Sequence, residues 1–167
     1  MTQPTQFGSL SAFQTGGIQP IDDDPKNYVF SNVFAVSAKA APYERVAVGK
    51  NLEYVIEAVR AEGTSPWYAA AHDEFVLAMD GDVTVELVKL AANADIGSGA
   101  GARLLTTEPQ GKKMGWVRLR RGHMALLPVG AAYRFNALTP SCLVIQTIDG
   151  PLTVHRWANI CYTQALS

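Results

Sequence analysis

The sequence contains few charged residues, and they are scattered along the chain. Only 17% of its 167 residues are charged, the net charge is −1, and lysine and arginine form no run. Because nucleic-acid binding normally needs a basic face, we do not expect that function. The N-terminus has no charged and apolar leader, which argues against a signal peptide, and no apolar run is long enough to span a bilayer.

Cysteine is equally scarce. Cys142 and Cys161 lie far apart and show no paired spacing. This pattern is typical of free buried thiols and favours a reducing, cytoplasmic location.

The chain is long enough for one domain with a sizeable core, preceded by an arm. Residues 1–25 are rich in Gln, Gly, Ser, Thr and Pro, but they also carry isolated apolar residues such as Phe7, Leu10 and Phe13. The arm is either a loose tail or a segment that contacts a partner chain through these residues. We predict that residues 26–167 form a single β-barrel domain.

Short apolar stretches separated by turns make up this domain. About ten strands and no long helix are predicted, which is typical of an all-β sandwich or barrel. Asn27–Val36 is one predicted strand, and Leu52–Arg60 is assigned as another because its β-branched residues alternate. The central stretch, 67–87, is predicted as strand, tight turn and strand, with Asp80-Gly81-Asp82 at the turn.

Two spaced patterns in this region resemble the paired signature of the cupins. Glu74 is followed after six residues by Gly81, and Gly122 is followed after five residues by Pro128-Val129-Gly130. The resemblance implies a cupin-type double-stranded jelly roll, here with an extended N-terminal arm.

The metal ligands of that signature are largely missing. An iron cupin needs about three protein ligands, commonly two imidazoles and a carboxylate. Of these only Glu74 remains, and the three histidine positions fall on Trp67 or Tyr68, on Ala69 or Ala70, and on Tyr133. Tyr68, Glu74 and Tyr133 are therefore interpreted as positions of a degenerate metal site, with the tyrosine rings filling the lost cavity and no metal in this chain.

His72 offers an alternative. It lies two residues before Glu74 and, on an unbroken strand, would share its face, so a site of His72, Glu74 and Tyr133 is conceivable. The preferred interpretation is that His72 lies at the strand entry and is only hydrogen-bonded.

A family resemblance accounts for a cupin without metal. The run from Tyr54 to Trp67, leading into His72-Asp73-Glu74-Phe75, resembles the small subunit of two-component hydroquinone 1,2-dioxygenases. The resemblance implies a larger cupin partner that holds Fe(II), a heterotetramer with two copies of each subunit, and opening of hydroquinone to 4-hydroxymuconic semialdehyde. The present chain would brace the larger subunit and help close its pocket, with no catalytic residue of its own.

Trp67 is the predicted substrate-binding residue. Its indole could stack on an aromatic substrate or donate its N–H to a phenol, although packing in a core or interface explains a tryptophan equally well. Two other functions stay open: a stand-alone cupin that binds metal in an unusual way, and a metal-free protein that binds a small molecule or a structural partner. The missing histidines weigh against the first of these.

Overall fold

The computed structural model of the chain describes residues 8–14, 21–22, 31–94, 96 and 99–156. One helix and ten strands lie within these ranges: α1 (Val33–Lys39), β1 (Arg45–Asn51), β2 (Tyr54–Thr64), β3 (Tyr68–Ala70), β4 (Glu74–Ala78), β5 (Asp82–Leu90), β6 (Ala102–Leu104), β7 (Gly111–Arg120), β8 (Met124–Leu127), β9 (Ala131–Ile148) and β10 (Thr153–Val154).

The ten strands join into one curled sheet, and the long strand β9 belongs to both of its layers. Residues 131–137 of β9 pair with β3 and β5, and residues 141–148 pair with β2 and β4. The end of β2 crosses between the layers, because Gly63 and Thr64 pair with Ala137 and Asn136. Strands β10, β1 and β8 extend the layer around β2 and β4, and β6 and β7 extend the layer around β3 and β5. The predicted all-β, cupin-type jelly roll is confirmed.

The core lies between the two layers, where inward side chains of both halves of β9 meet. The largest fully buried apolar side chains are Tyr133, Phe135, Leu119, Leu127, Leu143 and Ile145. Since side chains of a strand alternate between faces, every second residue of each layer faces this core and the others face outward.

The backbone requires a glycine at one position of each cupin-like pattern. Gly81, between β4 and β5, has φ +71°, and a Cβ at this position would lie 1.9 Å from Oγ of Ser141. Gly122, between β7 and β8, has φ +81°. Both positions therefore favour a residue without a side chain.

The segment before β1 corrects one prediction. The expected strand over Asn27–Val36 is wrong in its described part, because helix α1 occupies the end of this range. The Asn32 side chain caps the helix by accepting from the backbone N–H groups of Phe34, at 3.0 Å, and Ala35, at 3.3 Å. The helix then buries Val36 against β1 and β2. No helix in the described ranges has the length and apolar character that crossing a membrane requires.

The described part of the predicted arm contacts the barrel beside the β4–β5 turn. The backbone N–H of Leu10 donates to Oδ2 of Asp80 at 2.7 Å, and Oδ1 of Asp80 accepts from the N–H of Cys142 at 2.6 Å. Residues 1–7, 15–20 and 23–25 of the arm, like Cys161, lie outside the described residues. The division into an arm and a domain at residue 25 stays a prediction.

Candidate functional site

Strands β3 and β9 divide the candidate residues between the inside and the outside of the barrel. Tyr68 on β3 pairs with Tyr133 on β9, and both rings lie in the core with their centroids 5.6 Å apart. Trp67 and Arg134 are their sequence neighbours and therefore face outward, where the Arg134 guanidinium lies over the Trp67 ring. Of the two residues that could occupy the first histidine position, Tyr68 points inward and Trp67 points outward.

Inside the barrel, an arginine lies among the residues that the sequence predicts as a degenerate metal site. Arg45, at the start of β1, is only 3% exposed. Its Nε donates to Oε2 of Glu57 at 2.5 Å, its Nη2 to Oε1 of Glu74 at 2.8 Å, and its Nη1 to the Tyr133 hydroxyl at 3.1 Å. The Tyr133 hydroxyl in turn donates to Oε2 of Glu74. We call Arg45, Glu57, Glu74, Tyr68 and Tyr133 the inner cluster.

Burial dominates the proton affinities of the inner cluster. It raises the pKa of Glu57 despite the nearby guanidinium, raises that of Tyr68 to about 12, and raises that of Tyr133 well above its usual range. Burial opposes the charge of Arg45, but Tyr133, Glu74 and Glu57 outweigh it and hold the pKa of the guanidinium above its ordinary value. Arg45 is therefore a permanent cation, and both tyrosines keep their protons at neutral pH.

The inner cluster does not fit a metal ion. The Arg45 guanidinium already supplies a positive charge between Glu57 and Glu74. The phenol of Tyr133 would have to ionise in order to ligate, and its raised pKa opposes this. In the part of the chain that the structure describes, no group of three or more His, Cys, Asp or Glu side chains is arranged to hold a metal.

His72 contacts neither Glu74 nor Tyr133, with which it would form the alternative site, among the contacts of the described residues. A bend at residues 71–72 precedes β4, so the alternation of the strand does not extend back to His72. Its Nε2 lies 3.0 Å from Oγ1 of Thr147 and accepts from the N–H of Ile148 at 3.3 Å. Glu74 bonds instead to Arg45 and Tyr133.

Outside the barrel, Trp67 lies in a second cluster of charged residues. Its indole N–H donates to Oε2 of Glu108 at 2.9 Å, and the Arg134 guanidinium carbon lies 4.5 Å from the centre of its ring. Arg134 is paired with Glu86, whose Oε2 is 2.9 Å from its Nη2. These contacts leave Trp67 only 8% exposed. We call Trp67, Arg134, Glu86 and Glu108 the outer cluster.

The outer cluster borders an open groove on the outer face of β5, β7 and β9. Cross-strand pairing places Trp116 beside Glu86 and Glu86 beside Arg134, which makes one row that continues to Trp67. The groove encloses about 840 Å³ and is lined among others by Thr84, Glu86, Trp116, Arg118, Arg134 and Asn136. Trp116 is 65% exposed, so this face presents an aromatic ring as well as charges.

A smaller cavity of about 230 Å³ opens at the mouth of the barrel above the inner cluster. Tyr43, Tyr68, Leu104 and Leu152 are among the residues that line it. Tyr43 donates its hydroxyl proton to the carbonyl oxygen of Gly63, whereas the described residues supply no hydrogen-bond partner for the Tyr68 hydroxyl.

Sequence reasoning missed all charged members of the two clusters except Glu74. Arg45 and Glu57 are charges of opposite sign that adjoin apolar residues in two consecutive strands, and such charges are buried only when paired. The expected pairing of these two charges was the signal from which they could have been found. Arg134 and Glu108 carried none, because a charge near a strand edge or in a loop is ordinary on a protein surface.

Comparison with known proteins finds relatives among solved structures only: no family model and no curated protein sequence matches the chain. A chain of hydroquinone 1,2-dioxygenase from Sphingomonas sp. TTNP3, solved with 4-hydroxybenzoate bound, is 59% identical with a TM-score of 0.90. The match covers 98% of this chain and 100% of that one. A chain of hydroquinone 1,2-dioxygenase PnpCD, in complex with Cd²⁺ and 4-hydroxybenzonitrile, is 49% identical with a TM-score of 0.90, over 97% of this chain and 98% of that one.

A third match shares the fold alone. A chain of hydroquinone 1,2-dioxygenase PnpCD in complex with Fe³⁺ is 8% identical with a TM-score of 0.63. The match covers 83% of the present chain but 38% of the other, which is therefore the longer of the two.

Proposed function

The chain belongs to the hydroquinone 1,2-dioxygenase family, and from this membership we propose that it is the small, metal-free subunit of such an enzyme. The enzyme opens hydroquinone and substituted hydroquinones to 4-hydroxymuconic semialdehyde with Fe(II) held by a larger cupin subunit. The present chain supplies no catalytic residue. It braces the larger subunit in a heterotetramer, two of each, and helps to close the active site. A cytoplasmic location belongs to the same proposal.

One observation carries the metal-free assignment. The Arg45 guanidinium is hydrogen-bonded to Glu57, Glu74 and Tyr133, so the cupin site is closed by a side-chain cation. An arginine held this way keeps its proton and offers no lone pair to a metal, and in this proposal the iron is therefore assigned to the partner. The longer chain of a related enzyme, which contains the same fold within 38% of its length, is the kind of partner that fits.

The outer cluster supports the second part of the proposal. Trp67 faces outward and lies in a row with Glu86, Arg134 and the exposed ring of Trp116, so this face can meet another chain. In the proposal the groove beside it docks on the larger subunit, and the Trp67 indole forms part of the wall of the substrate pocket. A flat ring suits an aromatic substrate because stacked and edge-to-face contacts are favourable.

Co-expression with a larger cupin subunit tests the proposal. We expect the two chains to elute together in size-exclusion chromatography, iron to follow the larger chain, and hydroquinone cleavage to need both. Stoichiometric iron in the present chain alone, or cleavage by it alone, would overturn the proposal.

A separate variant tests the proposed contact of Trp67 with the substrate. Trp67→Ala in the complex should raise the KM for hydroquinone about 3- to 10-fold, the value of one aromatic contact, while iron content stays unchanged. Tyr54→Ala, at an exposed aromatic residue of the other layer, is the matched control and should leave KM unchanged. An unaltered KM in Trp67→Ala contradicts the contact but leaves the subunit assignment intact.

A second function, binding of a small molecule by the chain alone, is favoured by the cavity at the barrel mouth. Its lining is largely apolar, and the Tyr68 hydroxyl has no partner among the described residues. Calorimetric titration of the isolated chain with phenols tests this candidate: binding that Tyr68→Phe weakens would support it, and no heat at millimolar phenol would exclude it.

A further inference from the structure

Trp67 is held at the barrel surface by two side chains that touch different parts of its ring system. Glu108 accepts the indole N–H at 2.9 Å, which fixes the edge of the ring. Arg134 covers one face, with its guanidinium carbon 4.5 Å from the ring centre. A hydrogen bond at the edge and a cation on the face together restrict both the tilt of the indole and its rotation about the side-chain bonds.

The two contacts are themselves braced. Glu86 binds Arg134 through Nε at 3.0 Å and Nη2 at 2.9 Å, so the guanidinium plane is fixed by the neighbouring strand. The backbone N–H of Leu105 donates to the Trp67 carbonyl oxygen at 2.9 Å, which ties the start of the loop that carries Glu108 to Trp67 itself. Arg134 Nη1 also lies 3.9 Å from Oε1 of Glu108.

From this geometry we infer that Arg134 and Glu108 are positioning residues that hold the Trp67 indole in the orientation in which it meets the substrate. The inference rests on the proposed function, because it needs Trp67 to form part of the substrate pocket. Neither residue needs to touch the substrate. Their effect reaches it through the ring that they hold, since a bound geometry is lost when a supporting side chain is removed.

A purely structural role predicts a different result. The Arg134 and Glu86 side chains are 30% and 32% exposed, and the Glu108 side chain is 75% exposed. Ion pairs in such positions contribute little to folding, so their removal should leave the protein folded and the complex assembled. A change in KM without a change in melting temperature therefore separates positioning from stability.

The experiment measures KM and kcat of the reconstituted complex with hydroquinone, at saturating larger subunit, for four variants: Arg134→Ala, Glu108→Ala, Glu108→Gln and the control Arg60→Ala. We expect Arg134→Ala and Glu108→Ala each to raise KM about 3- to 10-fold, while kcat changes less than about twofold. Glu108→Gln keeps a carbonyl oxygen that accepts the indole N–H and should restore most of the loss. Arg60 is a matched control because it is paired with Glu62 at 28% exposure on the other layer.

A double variant decides whether the effect passes through Trp67. If Arg134 only positions the indole, Arg134→Ala should cause no further increase in KM once Trp67→Ala is present. An equal increase in both backgrounds means that Arg134 acts through a contact of its own and overturns the inference. An increase in KM for Trp67→Ala but not for Arg134→Ala or Glu108→Ala also overturns it, and leaves the substrate contact standing. An unchanged KM in Trp67→Ala overturns both this inference and the substrate contact of Trp67.

Discussion

The inner and outer clusters are built from nearly the same parts. Each has one arginine, two glutamates and an aromatic ring under the guanidinium: Arg45 lies 5.9 Å from the ring centre of Tyr68, and Arg134 lies 4.5 Å from that of Trp67. The two aromatic residues are adjacent in sequence, with Tyr68 at the start of β3 and Trp67 directly before it. The clusters differ in their exposure to water: the Arg45 side chain is 4% exposed, and the Arg134 side chain is 30% exposed.

This difference in exposure separates a structural role for the inner cluster from a binding role for the outer cluster. In the barrel, each charge depends on its partners, since an unpaired buried charge is costly and water cannot replace the missing group. On the surface, water can replace any one partner, so the same ion pairs contribute little to stability and are free to serve recognition. In the proposed function, the closed inner cluster is the remnant of a metal site, and the outer cluster is the part of the chain that the larger subunit contacts.

Replacing Arg45 should have the largest effect. Arg45→Met leaves Glu57 and Glu74 buried without their cation, and we expect a loss of about 3–5 kcal/mol in the free energy of unfolding, measured by urea denaturation. Arg45→Lys, which keeps the charge but not the forked geometry, should lose less. If Arg45→Met unfolds at the same urea concentration as the parent chain, the inner cluster is not the structural centre described here.

Alkaline pH should weaken the inner cluster next. Burial raises the pKa of Tyr68 from 10 to about 12, so between these values the folded chain binds a proton that the unfolded chain releases. Stability from this tyrosine is present below pH 10 and is lost as the pH rises toward 12, at most about 2–3 kcal/mol. Tyr68→Phe should make the fall in unfolding free energy between pH 10 and 12 shallower. A slope identical to that of the parent chain contradicts the role of Tyr68.

Removing one hydroxyl should have a smaller effect. Tyr133→Phe deprives Glu74 of a donor and Arg45 of an acceptor, which should cost about 1–3 kcal/mol in unfolding free energy. Tyr68→Phe at neutral pH is the control, because no described residue bonds to that hydroxyl. Equal losses in the two variants would show that ring packing, and not the hydrogen bond, holds this end of the barrel.

The sequence predicts much of the frame in which the two clusters lie. Gly81 and Gly122 could be placed at turns because only a few residue types accept their backbone angles, and the alternation of Val83 and Val85 with polar neighbours predicts which face is buried. The strand predicted over Asn27–Val36 was wrong in its described part because its apolar composition suits either state, and the cap provided by Asn32 decides for the helix.

The partners within each cluster could not be predicted from the sequence. Arg45 meets Glu74, 29 residues away along the chain, only because the sheet places β1 and β4 in the same layer, with β2 and β9 between them. Glu108 reaches Trp67 from a loop 41 residues away. Such contacts depend on the order of the strands in the sheet and on the path of the loops. The periodicity of a sequence indicates only the face on which a residue lies, never its partner.

The smallest expected effect on stability lies in the outer cluster. Arg134→Ala and Glu86→Ala should each change the unfolding free energy by about 0–1 kcal/mol, and a double-mutant cycle should give a coupling of about 0.2–1 kcal/mol. Because the pair is exposed to solvent, this coupling should shrink between 0.05 and 0.5 M salt, roughly the range over which the screening length falls below 10 Å. The corresponding coupling between Arg45 and Glu57 should be larger and insensitive to salt, since no ions reach it. A coupling of several kcal/mol between Arg134 and Glu86 would mean that both clusters are structural. The exposed cluster would then lose its distinction from the buried one, and the positioning of Trp67 could no longer be separated from the stability of the barrel.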